Sequence, residues 1–164
     1  MKINNNLLKP NTKLNQMDNF KPVEVQIEEA TDVKCLFYEQ QEGKCFLIIK
    51  IVGTCSVGSR GEDYGQYLYQ KIGLALLKFQ PIAVLIDMQE LEYQYGDRIL
   101  NLFQIFSDVL IFSENPPMAS FVLSNKNKNG LSSLLQFNIE NLQPPFYYDY
   151  EEAFQDLWEK YDEI

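Results

Sequence analysis

The fold is decided by residues 82–88, IAVLIDM, a continuous apolar run that predicts a strand buried on both faces. Strands of this kind belong to parallel sheets, because the crossover connections of such sheets place helices over both faces. Working outward, residues 44–52, KCFLIIKIV, and residues 119–123, ASFVL, are apolar and partly β-branched. We therefore predict three central strands from these runs.

The segments between these strands have helical periodicity. Apolar residues recur at three- and four-residue spacing over 64–79, where Pro81 ends the pattern, and again over 99–110. A short helix is predicted over 131–137, between a polar loop and a short edge strand at 146–148. Asp149 and Glu152 form a capping box, which predicts the start of a last helix.

Strands also open the domain. Residues 22–28 alternate Val or Ile with Glu or Gln, and residues 33–39 are a second short candidate. Residues 1–21 are rich in Asn and Lys without a sustained period, so we predict a flexible N-terminal arm followed by one α/β domain over 22–164. The element order predicts a mostly parallel central sheet of about four to six strands with helices packed on it.

Charge limits the partners that this chain can bind. Four lysines and one aspartate give residues 1–21 a net charge of +3, and with −9 for the whole chain the remaining residues carry −12. Such a domain repels nucleic acid and anionic membrane surfaces, so we expect neither as a partner. Another protein with a basic surface is the predicted partner, although acidity can also serve solubility alone.

Several kinds of chemistry are excluded by residues that the sequence lacks. It has no histidine, which rules out Ser-His-Asp and Cys-His arrangements within the chain. The cysteines Cys35, Cys45 and Cys55 have no CxxC spacing and predict reduced core thiols. Neither a P-loop nor GxGxxG occurs, so we expect no cofactor and no metal. No signal peptide or membrane span is recognisable, which predicts a cytoplasmic protein.

Carboxylates are the groups that remain for an enzyme mechanism. Asp87, Glu90, Glu92 and Asp97 lie at and beyond the predicted end of strand 82–88, where open α/β sheets place their sites. Two of them could form an acid/base pair or hold Mg²⁺. Alternatively, Asp87 caps a turn and the others are solvated.

Arginine and tyrosine supply the candidate interface residues. Arg60 and Arg98 are the two arginines of the chain, and either could anchor an interface or lie on an ordinary surface. Tyr93 and Tyr95 suit an interface with a polar rim, and they suit the edge of a core equally well.

Three local patterns resemble the STAS domain family, which comprises the anti-sigma-factor antagonists and their relatives. They are IIKIVG at 48–53, LIDMQELEY at 85–93 and YDYEEAFQDL at 148–157. The resemblance extends from Lys44 to the C-terminus. It implies a STAS-like fold and a regulatory, non-catalytic function in protein binding.

The resemblance also places Asp97 roughly where the family has its phosphorylatable serine, in a loop of the form Asp-Ser-Ser-Gly. Tyr95, Gly96, Asp97 and Arg98 stand in that loop here. A switch by serine phosphorylation is therefore in doubt. A fixed negative charge at a helix start would instead imply a constitutive binder.

The predicted function is therefore a non-catalytic regulatory module that binds another protein through Tyr93, Tyr95, Asp97, Arg98 and Arg60. Two alternatives stay open. One is an immunity-type inhibitor of a basic toxin enzyme, and the other is a small crotonase-like or carboxylate-dependent enzyme that uses Glu92 or Asp97. A homodimer is also possible.

Overall fold

The computed structural model describes residues 18–26, 32–43, 45–56, 59–112 and 115–163. These residues form six strands and four helices. The strands are β1 (Phe20–Val23), β2 (Val33–Gln40), β3 (Phe46–Thr54), β4 (Ala83–Glu92), β5 (Met118–Val122) and β6 (Phe146–Tyr147). The helices are α1 (Ser59–Phe79), α2 (Leu100–Phe112), α3 (Lys128–Leu135) and α4 (Tyr150–Asp162).

The strands form one sheet whose spatial order, β1-β2-β3-β4-β5-β6, is also their order along the chain. β1, β2 and β3 pair antiparallel, whereas β3, β4, β5 and β6 pair parallel. One helix lies between each pair of consecutive parallel strands, and α4 follows β6. The predicted α/β class with a mostly parallel sheet is confirmed.

The middle of the sheet is buried on both faces, as the apolar run at 82–88 predicts. Every residue from Ala83 to Met88 is buried, and Asp87 is the single polar residue among them. Side chains alternate between two cores on opposite sides of the sheet. Val84, Ile86 and Met88 pack in the core that contains the buried face of α1 and Ile99, Leu102 and Ile105.

The second core lies beneath α4 and is largely aromatic. Phe46 of β3 has its ring centroid 5.4 Å from that of Phe154 and 5.7 Å from that of Trp158. Phe20 of β1 joins this cluster, with its centroid 5.6 Å from that of Phe46. Aromatic pairs at these separations add to the free energy gained by burying the rings themselves.

The N-terminal boundary differs from the predicted one. β1 begins at Phe20, so the last two residues of the predicted arm belong to the sheet, because Phe20 is buried against the aromatic core. The predicted strand over 22–28 ends at Val23, where the pairing with Phe37 of β2 stops. Residues 1–17 and 27–31 lie outside the described residues.

The C-terminal elements are close to their predicted positions. The Asp149 side chain accepts a hydrogen bond from the Glu152 backbone N–H at 2.9 Å, which confirms the predicted helix cap. α3 begins at Lys128, three residues before its predicted start, so part of the predicted polar loop is helical. Within the described ranges, no helix is both long and apolar enough to cross a membrane.

Buried thiol and phenol groups make the free energy of unfolding depend on pH in the alkaline range. Burial raises the pKa of Cys55 from 9.0 to about 12, and it raises the pKa values of Tyr64 and Tyr150 above 10.0. These groups stay protonated in the folded chain at pH values where the unfolded chain ionises. Their contribution to stability is therefore complete below about pH 9 and is lost as the pH rises from there towards about 12.

We expect urea unfolding to give a nearly constant free energy of unfolding between about pH 6 and pH 8, because the chain has no histidine to titrate in that range. The free energy of unfolding should then fall steadily above about pH 9. A steep change near neutral pH, or full stability at about pH 11, would contradict this expectation.

Candidate functional site

The site begins with β4, which is longer than predicted. It continues to Glu92, and its pairing with β3 shifts register between Lys50 and Val52. The Asp87 carboxylate accepts a hydrogen bond from the Gln89 backbone N–H at 3.0 Å and so caps this bulge. Glu90 and Glu92 therefore lie within β4. The prediction that they lie beyond the end of this strand is wrong.

Beyond Asp87, β4 is paired with β3 on one side but has no strand on the other side, because β5 ends at Val122. Asn127 takes the place of the missing strand. Its side-chain Nδ2 donates to the carbonyl oxygens of Met88 and Leu91 at 2.6 and 2.9 Å, and its Oδ1 accepts from the Ser124 N–H at 3.0 Å. Asn127 is 1% exposed. Together with Ser124 Oγ, which donates to the Gln89 carbonyl oxygen at 2.9 Å, the Asn127 amide therefore ties the end of β4 to the turn after β5.

The loop after β4 is held in place by Tyr93. This side chain is buried, and its hydroxyl donates to the carbonyl oxygen of Gly96. The Tyr93 backbone N–H donates to the carbonyl oxygen of Lys126 at 3.1 Å. Of the two roles that the sequence left open for Tyr93, it has the one at the edge of the core.

The residues that follow Tyr93 form the exposed part of the site. Tyr95 is 63% exposed, and the side chains of Asp97 and Arg98 are 80% and 47% exposed, with Arg98 Nε 3.8 Å from Asp97 Oδ1. The Leu100 N–H donates to the Asp97 carbonyl oxygen, which places Asp97 in the turn that opens α2. We call Tyr95, Asp97, Arg98 and Leu100 the loop 95–100 surface.

Neighbouring helices support this loop by close contact. A Cβ atom on Gly65 of α1 would lie 3.0 Å from the Arg98 carbonyl oxygen, so the two helices can approach because Gly65 has no side chain. A Cβ atom on Gly130 of α3 would lie 2.5 Å from the Gln94 carbonyl oxygen. The loop therefore rests on the starts of α1 and α3, at the same edge of the sheet.

Arg60 is the predicted site residue about which the structure says least. Its backbone lies in the first turn of α1, and α1 begins at the edge of the sheet that carries loop 95–100. Its side chain lies outside the described residues, so its part in an interface stays a prediction.

Sequence reasoning missed Asn127 and Gly130, because both were assigned to a polar loop. The signal that could have found them is a polar residue, Asn127, followed three residues later by Gly130, directly after a buried strand. In an open α/β sheet this position lies at the carboxyl edge.

The carboxylates of the enzyme alternative do not lie together in an enclosed site. Glu92 and Asp97 are exposed. Asp87 is buried on the opposite face of the sheet from Tyr93. Two grooves in the described structure are lined by residues of 140–159 and by residues of 23–26 and 74–79, away from Glu92 and Asp97.

Two thiols, Cys55 near the site and Cys45 at the opposite edge of the sheet, have raised pKa values. Cys55 is buried beside Tyr64, and the high pKa of Cys55 keeps its thiol protonated at neutral pH. Cys45 is half-buried next to Glu39, and its pKa is raised to about 11 by burial and by the Glu39 carboxylate. In the part of the chain that the structure describes, no three Cys, Asp or Glu side chains are grouped so that they could hold a metal ion.

Comparison with known proteins rests on the fold. No model of a protein family matches the sequence, and no curated protein matches it. Among solved structures, an anti-sigma factor antagonist from Mycobacterium paratuberculosis superimposes with a TM-score of 0.52 at 14% sequence identity, covering 80% of this chain and 99% of the other. The chain therefore has the STAS-like fold that its local patterns predicted.

Proposed function

We propose that this chain is a regulatory, non-catalytic protein-binding module of the STAS-like type, and that the loop 95–100 surface with the start of α2 is its contact surface. The observation that carries the proposal is the contrast within the loop. Buried Tyr93 fixes the backbone, while Tyr95, Asp97 and Arg98 project into solvent.

A rigid loop of this kind suits protein recognition. Aromatic and arginine side chains are enriched among the residues that contribute most to binding, and a fixed backbone reduces the entropy lost when a complex forms. The net charge of −12 beyond residue 21 favours a partner with a basic surface over a nucleic acid or an anionic membrane.

Asp97 gives the proposed module a fixed charge. Its carboxylate is exposed at the turn that opens α2, where the positive end of the helix dipole favours an anion. In the resembling family a phosphorylatable serine stands near this position. We infer that Asp97 supplies a permanent negative charge there, so that binding does not depend on a kinase.

The first test removes the charged pair of the loop. With Asp97→Ala and Arg98→Ala combined, we expect the amount of partner captured from the native lysate to fall about tenfold or more, the size of effect seen when one interface anchor is lost. Quantitative mass spectrometry of the captured proteins measures this loss. Thermal unfolding should change little, because the Asp97 side chain is largely exposed and the Arg98 side chain is about half-exposed.

The matched control is Lys21→Ala combined with Glu42→Ala. These two exposed residues lie near the opposite edge of the sheet, and their replacement also leaves the net charge unchanged. Equal capture by both double variants would show that the loop 95–100 surface is not the contact surface.

One observation favours the immunity-type inhibitor as a second candidate. A groove of about 580 Å³ beside α4 is lined by Glu140, Asp149, Glu152, Asp156 and Glu159. Such a groove suits a basic protein surface. One-to-one, tight association with a basic toxin enzyme, measured by calorimetry, would separate this candidate from a regulator that binds through loop 95–100.

A further inference from the structure

The groove beside α4 combines an apolar lining with several carboxylates. Its volume is about 580 Å³, and it runs between α4 and the segment that leads into β6. Leu142 and Phe146 are half-buried and contribute apolar surface to it. The carboxylates that line it belong to Glu140, Asp149, Glu152, Asp156 and Glu159. We call the space that these residues line the α4 groove.

The negative charge of the α4 groove is only partly neutralised. Glu152, Asp156 and Glu159 are spaced by four and three residues, so they lie on one face of α4. Among the described residues, Lys160 Nζ lies 2.7 Å from Asp156 Oδ2, and the other four carboxylates of the groove have no ion pair. Carboxylates held close together repel one another, and a bound cation relieves this repulsion. The α4 groove therefore favours a basic segment that also carries apolar side chains.

Residues 1–17 have this composition. They contain three lysines and no acidic residue, which gives their side chains a net charge of +3. The lysines are Lys2, Lys9 and Lys13, and the apolar residues near them include Ile3, Leu7, Leu8 and Leu14. A second groove, beside β1, is lined by one glutamate and one lysine, Glu24 and Lys78. Charge therefore directs residues 1–17 to the α4 groove and not to the groove beside β1.

Residues 1–17 are also long enough to reach the α4 groove. Phe20 of β1 packs against α4, with its ring centroid 6.1 Å from that of Phe154. An α-helix with its side chains is about 10 to 12 Å wide, and each extended residue spans about 3.3 to 3.6 Å. About four residues therefore carry the chain past α4, and residues 1–13 remain for the groove.

The spacing of two lysines fits the spacing of two carboxylates. Lys9 and Lys13 lie about 13 Å apart in an extended chain. Glu152 and Glu159 lie about 10 Å apart along the axis of α4. The long, flexible side chain of lysine covers the difference, so both lysines can contact a carboxylate at the same time.

We propose that residues 1–17 bind in the α4 groove of the same chain, with Lys9 and Lys13 beside Glu152 and Glu159. The connection through β1 favours binding within one chain, because a tethered segment has a high effective concentration.

This contact is independent of the loop 95–100 surface, which lies at the carboxyl edge of the sheet. It regulates access to the α4 groove, because residues 1–17 then cover the surface that suits a basic protein. A basic toxin enzyme would enter the groove only by displacing them.

Charge exchange in the full chain tests the contact. One variant combines Lys9→Glu with Lys13→Glu, a second combines Glu152→Lys with Glu159→Lys, and a third carries all four substitutions. Hydrogen exchange of the amides of residues 1–17, measured by mass spectrometry relative to the same chain in denaturant, is the readout. Each double variant should exchange about fivefold faster than wild type, the effect expected when two exposed ion pairs are lost.

The fourfold variant should return to slow exchange, because opposite charges face each other again. It separates the contact from folding, since a fold defect caused by the substitutions on α4 would not be repaired by changing the lysines. The matched control is Glu24→Lys combined with Glu42→Lys, which changes the net charge equally at two exposed positions outside the α4 groove. This control should exchange like wild type.

Three results would overturn the proposal. The first is wild-type exchange as fast as that of the double variants, and the second is a fourfold variant that stays fast. The third is protection that grows with protein concentration, because residues 1–17 would then bind to another copy.

Discussion

Asn127→Ala is expected to lower the free energy of unfolding by about 3 to 5 kcal/mol. The substitution removes three hydrogen bonds and leaves the carbonyl oxygens of Met88 and Leu91 and the Ser124 N–H without this partner, and each such buried group costs about 1 to 3 kcal/mol. Asn127→Asp should be at least as damaging at neutral pH, since a carboxylate would face two carbonyl oxygens.

Urea unfolding measures this loss, and Asn125→Ala is its control. Asn125 is exposed in the same turn, so its replacement should change the free energy of unfolding by less than about 0.5 kcal/mol. Because Asn127 fixes the strand end that leads into loop 95–100, partner binding should weaken with Asn127→Ala even at temperatures where the variant is folded. Similar stabilities for the two variants would show that the network around β4 contributes little.

Gly53→Ala is expected to destabilise the chain by about 3 kcal/mol or more, through two effects that add. Gly53 has φ +115°, a conformation that a residue with a side chain rarely adopts. A Cβ atom would also lie 1.9 Å from the Asp32 carbonyl oxygen, which belongs to the backbone and cannot rotate away. The carboxyl end of β3 would have to separate from the start of β2.

Gly96→Ala isolates the first effect, the conformational strain. Gly96 has φ +116°, nearly the same as Gly53, but no atom lies within 4 Å of the position that its Cβ would occupy. Gly96→Ala should therefore cost only the conformational strain, about 1 to 3 kcal/mol. Thermal or urea unfolding of both variants gives the difference, and equal losses would mean that the contact with Asp32 is relieved without cost.

The fold was predictable because its signals are local. The run at 82–88 predicts a strand buried on both faces, and Ala83 to Met88 are all buried. The helices over 64–79 and 99–110 follow from spacing alone, because a helix that packs on a sheet must repeat its apolar residues at that period.

The details of the site were not predictable, because they depend on contacts between distant residues. β4 continues through a register shift to Glu92, and the Met88 carbonyl oxygen in this part of the strand accepts a hydrogen bond from Asn127, 39 residues away along the chain. In the same way, tyrosine suits both a core edge and a surface. Tyr93 is buried and Tyr95 is exposed because of the path that the loop backbone takes, and the sequence pattern does not specify that path.

The strand order has a consequence for how the chain is made. Because each strand pairs with the one that precedes it, a strand emerging from the ribosome meets a neighbour that is already present. The antiparallel pairs close shorter connections, whereas each parallel pair forms only after a complete crossover helix has been made. The aromatic helix α4 emerges after all six strands, so Phe46 and Ile48 remain uncovered on this side until α4 has been made. During that interval the nascent chain exposes one apolar face of its sheet. A chaperone that binds exposed apolar surface would act mainly in this period.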